Sequence, residues 1–171
     1  MGLLEPHGRG RRPIRFLELT RTAAGAVFIV HSLAHAVAAF TAAAEAGRPV
    51  LLLSAPGAAL YAGPGWWRAM VEAARAAAPA AHCTAILDCG DDAGAAQGAI
   101  RAGVEAIVFT GRADVAARLA DIAGQRGIEM VTVRPAATRD LADLFFADAE
   151  TLRRCCAEAL AQPSAASRER M

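Results

Sequence analysis

The residues of this chain that could do chemistry sit in a few short stretches, each just after an apolar run. Asp88 closes the run Thr84–Leu87 and is followed by Cys89, Gly90, Asp91 and Asp92. A carboxylate at the mouth of a buried strand is costly unless it is paired or used, which makes Asp88 the candidate general acid or base. The competing reading is that Asp88 caps the next helix or pairs with an arginine such as Arg112. Cys89 could bind zinc as a thiolate, with His31 as a nitrogen ligand. His31 and His35 stand four apart, on one helical face if the helix starts early enough. Otherwise His31 is a strand-end hydrogen bonder and His35 a partly buried helix residue. Ser54, Gly57, Thr110, Gly111, Arg112 and Arg134 also follow apolar runs. Their hydroxyls, backbone amides and guanidinium groups could meet a phosphate or carboxylate. The glycines could equally be simple turn residues.

These residues need elements to position them, and the chain supplies a repeat. Compact apolar runs at Ala26–Val30, Val50–Leu53, Thr84–Leu87, Ala106–Phe109 and Met130–Val133 suit buried parallel strands. Between them Leu33–Ala46, Trp66–Ala78, Asp92–Ala102 and Asp114–Gln125 are long enough for crossover helices. Gly47, Gly103 and Gly127 stand where left-handed C-caps are needed, and Asp91 or Asp92 and Asp114 stand at or near helix starts. A last helix is expected over about Asp140–Gln162. Alternation of this kind implies right-handed crossovers and a parallel sheet, with ligands beyond the C-terminal ends of the strands. The fold class is α/β with five parallel strands. Periodicity leaves open whether they form a half TIM-barrel or a flavodoxin-like open doubly wound sheet.

Composition bounds the chemistry further. The chain has 171 residues, 55% of them hydrophobic, with a formal net charge of +1. All 18 basic residues are arginine. Without lysine, Schiff-base chemistry and a P-loop are excluded. The balanced charge and the 5% aromatic content argue against a nucleic-acid partner. The four cysteines, Cys83, Cys89, Cys155 and Cys156, have no disulfide-framework spacing, as in a reducing cytoplasm. The apolar stretch Ala23–Phe40 contains His31, Ser32 and His35 and divides better into a strand and a helix than into a membrane span. Residues 1–13 are expected to form a flexible basic arm, 14–162 a single domain opening with a short helix at Ile14–Thr22, and 163–171 a polar tail.

From about Ala26 to Glu129 the chain resembles the first half of class II (zinc-dependent) fructose-bisphosphate aldolases. Ala42–Leu52 is similar to the family's "AAEE…SPVIL" segment, and Ser54–Gly63 to its "SEGAAKYAG" stretch. Leu87-Asp88-Cys89-Gly90 stands at the family's "HLDHG", and Ala99–Phe109 resembles "AIDAGFTSVMID". The resemblance implies a barrel-type fold, makes Asp88 the counterpart of the family's proton-transferring aspartate, and puts Cys89 where the family has a zinc-binding histidine. Ile86 replaces the family's first histidine. A full barrel takes about 250 residues, and here one helix follows the fifth strand. Aldolase activity is therefore not expected of this chain alone. The expectation is a degenerate aldolase-like domain binding a small phosphorylated or carboxylated metabolite, with a homodimer covering the open half. The alternatives are a small metal-assisted lyase or isomerase using Asp88, and a protein-interaction module.

Overall fold

The computed structural model describes residues 25–162. The basic arm, the short helix expected at Ile14–Thr22 and the C-terminal tail lie outside them. The chain runs through β1 (Ala26–Val30), α1 (Leu33–Ala46), β2 (Val50–Ser54), α2 (Ala58–Tyr61), α3 (Pro64–Ala77), β3 (Cys83–Asp88) and α4 (Ala93–Ala102). It continues through β4 (Ala106–Val108), α5 (Ala113–Gln125), β5 (Glu129–Val131), β6 (Arg139–Asp140), a 3-10 turn (Ala142–Leu144) and α6 (Ala149–Ala161). All strand pairings are parallel, in the order β5-β4-β3-β2-β1-β6.

A sheet that adds β2, β3, β4 and β5 in sequence order, each after a helix, is the arrangement of a TIM-like barrel and not of a flavodoxin-like sheet, whose order reverses. The architecture is a partial TIM-barrel-like α/β fold. Period-two alternation divides the strands between two cores. Ile29, Leu51, Leu53, Ile86, Ala106 and Val108 form an inner cluster on the concave face. Phe28, Val30, Leu52, Leu87 and Ile107 face the helices. Sequence-level strand positions hold within two residues. The apolar stretch before Phe40 resolves into β1 and α1, and among the described residues no helix is long and apolar enough to cross a membrane.

Local signals set the helix ends. The Ser32 hydroxyl accepts from His35 N–H at 3.3 Å to cap α1, and Gly47 closes that helix at φ 61°, a left-handed conformation that disfavours a side chain. Asp92 caps α4 by accepting from Ala95 N–H at 2.6 Å, and Asp148 caps α6 by accepting from Thr151 N–H at 2.8 Å.

Two sequence expectations are corrected at the C-terminal end. The sheet has six strands, not five, and the helix expected over Asp140–Gln162 is confined to Ala149–Ala161. The cause is tertiary. After β5 the chain crosses the mouth of the sheet and pairs with the free edge of β1. Thr138 N–H donates to the Val27 carbonyl at 2.8 Å, and Leu141 N–H to the Ile29 carbonyl at 3.1 Å. Those pairings hold Arg139 and Asp140 extended, a 3-10 turn follows at Ala142–Leu144, and α-helical hydrogen bonding starts again only at the Asp148 cap. Leu141, fully buried, pins the crossing into the core that α1 and α6 share with the sheet.

Leu141→Ala should therefore cost about 3 kcal/mol of stability, within the range for opening a core cavity. Phe146→Ser, at a side chain 96% exposed, should stay within about 0.5 kcal/mol. Urea denaturation of both variants checks the difference; equal costs would mean that the crossing segment is not anchored at Leu141.

Candidate functional site at the strand C-termini

Asp88 ends β3 on the same face as Ile86, two residues earlier, and is 3% exposed. One carboxylate oxygen accepts from Gly57 N–H at 2.9 Å and from Gly90 N–H at 2.8 Å. The other accepts from the Arg134 guanidinium. Arg134 also donates to the Ser54 carbonyl at 2.7 Å. Ser54 Oγ accepts from Asp88 N–H at 2.9 Å and donates to the Ala55 carbonyl at 3.1 Å. The structure thus brings together Ser54, Gly57, Asp88 and Arg134, from the ends of β2, β3 and β5. The arginine that pairs with Asp88 is Arg134, not Arg112.

The other expected residues stand apart from this cluster. Arg112 is exposed and clasps Asp114 through two hydrogen bonds of 3.0 and 2.7 Å. Thr110 is exposed, and its N–H donates to the Gly90 carbonyl at 2.8 Å. Gly111 has a packing reason for its identity: a Cβ there would run into the Phe109 ring and come within 3.0 Å of the Asp91 carbonyl. Cys89 is fully buried in the core between sheet and helices, and burial, aided by the neighbouring Asp88 and Asp92 carboxylates, pushes its thiol up to about 12. A zinc-binding thiolate is not built there. Among the described residues no three His, Cys, Asp or Glu side chains stand close enough to hold a metal ion.

His31 has a different partner, one the sequence did not reveal. Its Nε2 lies 2.7 Å from a carboxylate oxygen of Asp140 on β6. The same oxygen accepts from Ala142 N–H at 3.0 Å. Burial works to raise the Asp140 pKa, but these two hydrogen bonds and the positive charge of Arg134 leave it below the usual carboxylate value. His35, fully buried, lies directly behind. His31 N–H donates to His35 Nδ1 at 3.2 Å, so the His35 proton must be on Nε2, which donates to the Leu144 carbonyl at 3.4 Å. A second proton on that ring would oppose the His31 N–H. Burial is the main cause that lowers the His35 pKa, reinforced by His31 and opposed by the Leu144 bond, Asp140 and Asp143.

Beside the His31–Asp140 pair opens a cleft of about 340 Å³. Val30, Ala55, Ala58 and Ala142 supply small apolar walls, and Tyr61, Trp66 and Phe145 supply three aromatic ones. Phe145 is held by an edge-on contact with His35, their ring centroids 5.8 Å apart. The cleft lies where ligands enter barrels of this type, at the C-terminal ends of the strands. In sequence Trp66 stands out only as half of the pair Trp66-Trp67, which could anchor its helix or an interface. Asp140, Tyr61 and Phe145 carry no signal that points to this place.

Removing Arg134 leaves a buried carboxylate short of a partner, so Arg134→Ala should cost about 3 kcal/mol, whereas Arg112→Ala should cost no more than about 0.5 kcal/mol. Equilibrium unfolding compares them, and similar small losses would show that the Asp88 pair is not structural. The His35 shift adds a pH dependence. The unfolded imidazole takes up a proton near its ordinary value of 6.5 while the folded one resists it. Its contribution to stability is therefore complete above about pH 6.5 and declines as pH falls from there toward the folded pKa. Melting curves from pH 7.5 to 5 should show this decline, and His35→Leu should flatten it.

No protein-family model matches the chain, and no curated protein matches it. The solved structures do give a likeness. The crystal structure of a protein assigned as a fructose-1,6-biphosphate aldolase, from Coccidioides immitis, is similar to this chain with a TM-score of 0.54 at 23% identity. The match covers 65% of this chain and 41% of that one. This chain therefore spans about two fifths of the aldolase-like structure it matches, and what the two share is the fold.

Proposed function

We propose that this chain is a ligand-binding domain built on an aldolase-like half-barrel, without aldol-cleaving turnover. The observation that carries the reading is the state of Asp88. An acid or base must reach the substrate proton it moves, yet both Asp88 oxygens are occupied by Gly57, Gly90 and Arg134. The Arg134 side chain fills the place beside it. A metal-assisted lyase or isomerase acting through Asp88 and Cys89 is disfavoured on the same ground and by the burial of the cysteine.

The ligand position supported best is the cleft beside His31. Its volume of about 340 Å³ suits a small molecule, and its mix of apolar and aromatic walls with the imidazole of His31 is typical of such sites. A phosphorylated or carboxylated metabolite at the expected loop residues has less support. Gly57 N–H, Arg112 and Arg134 are each committed to a carboxylate of the chain itself.

Two measurements test the reading. Incubation with fructose 1,6-bisphosphate, with and without added zinc, should yield no triose phosphate; turnover that Asp88→Ala abolishes would overturn the non-lyase reading. A panel of small cations, carboxylates, sugar phosphates and neutral alcohols should contain compounds that raise the melting temperature and perturb tryptophan fluorescence. Trp66→Leu should weaken their binding. A panel with no such compound at millimolar concentration would remove the cleft as a ligand site.

A further inference from the structure

We propose that the cleft at the end of β1 takes a small organic cation of the methylated or quaternary ammonium class, held among Tyr61, Trp66 and Phe145 beside the Asp140 carboxylate. This inference rests on the cleft being a ligand site and adds the chemical class of the ligand.

Aromatic side chains are scarce, with six phenylalanines, two tryptophans and one tyrosine in 171 residues. Three of them border this one cavity, from α2, from the start of α3 and from the end of the 3-10 turn. Core packing does not account for them: Tyr61 is 69% exposed, Phe145 49% and Trp66 41%. Aromatic rings carry negative potential on their faces, and several around one cavity attract an organic cation whose own hydration is weak.

The charges around the cavity have the matching sign. Among the described residues no lysine or arginine lines it. The lining residue His31 lies 2.7 Å from the Asp140 carboxylate, whose same oxygen accepts from the N–H of the lining residue Ala142. The Arg134 guanidinium acts on Asp140, but its donors go to Asp88 and the Ser54 carbonyl. Asp140 is 49% exposed, and both its described partners, His31 and the Ala142 N–H, meet one oxygen. An anion would meet aromatic rings and the carboxylate partnered with His31. A neutral apolar ligand would fill the space but gain nothing from the carboxylate. Methyl groups on nitrogen satisfy both requirements, since they desolvate readily and carry the charge to the rings.

The test is a pair of probes of one shape. Choline and its uncharged carbon isostere, 3,3-dimethyl-1-butanol, are titrated into the full chain and followed by calorimetry and tryptophan fluorescence. Choline should bind at least about tenfold more tightly, the fold-change that a cation–π contribution of about 1.4 kcal/mol produces. Trp66→Leu should remove most of that advantage, and Asp140→Asn should weaken choline several-fold while leaving the isostere unchanged. Circular dichroism confirms that each variant is folded. Should Asp140→Asn not fold, raising ionic strength in the native chain reads the same charge term, and choline binding must then weaken while isostere binding does not. Equal affinity of the two probes, or no choline binding, overturns the cation assignment. If the isostere or a carboxylate still binds, the cleft remains a ligand site and only its assigned chemistry falls. If no compound binds, both fall.

Discussion

The placement of one buried carboxylate governs the C-terminal half of this structure. Asp88 closes β3 on the concave face of the sheet, where a charge without partners would cost several kcal/mol. Two backbone amides, those of Gly57 and Gly90, come from the adjacent loops. The counter-charge comes from Arg134, which the chain reaches only after finishing β5 on the far side of β4. Bringing that guanidinium to Asp88 requires the segment after β5 to turn back across the mouth of the sheet. Having crossed, it lies beside β1, and the two-residue β6 and the buried Leu141 follow from that position.

The same crossing answers the problem a half-barrel sets itself. A complete barrel has no free edges, whereas five consecutive strands leave β1 and β5 with unpaired backbone groups. Here β6 supplies hydrogen bonds to β1, through Val27 and Ile29. Val27 N–H, which β6's backbone does not meet, donates to the Thr138 hydroxyl at 3.0 Å. The 3-10 turn then directs the chain to α6, which packs along α1 and buries Leu152, Cys156 and Leu160. Among the described residues the outer edge of β1 is thus covered by one crossing segment, one short strand and one helix.

What the sequence shows and hides follows from the range of the interactions. The β1 to β5 strands and the helices between them were legible because hydrophobic period and capping residues are local. Ser54, Gly57, Asp88 and Arg134 were each legible as strand-end residues, together with Thr110, Gly111 and Arg112, because one topological rule places strand ends at a common mouth. That rule places residues near the mouth without saying whom they meet. Arg112 obeys it and still pairs with Asp114, two residues away. Cys89 fails for a reason the strand period already contains: if Asp88 faces the concave side, the next residue faces the helices. The segment 139–147 was not legible at all. Asp, Leu, Ala and Phe at that spacing are compatible with a helix, and only pairing to β1, 111 residues away in sequence for Val27 and Thr138, decides otherwise.

The fold likeness and the site therefore point in different directions, and the physical reason is the arginine. In a barrel that performs proton transfer at its mouth, the carboxylate must remain available to the substrate. Here the carboxylate at the strand mouth, Asp88, anchors the segment that crosses from β5 to β1. A group cannot serve as a structural counter-ion, saturated by three donors, and as an exchangeable acid at once. The polar chemistry left accessible is displaced toward β1, to His31 and Asp140, and Asp140 exists in that place only because the Arg134 crossing puts β6 there. In this sense the interaction that occupies Asp88 also places the carboxylate that holds His31 at the wall of the neighbouring cleft.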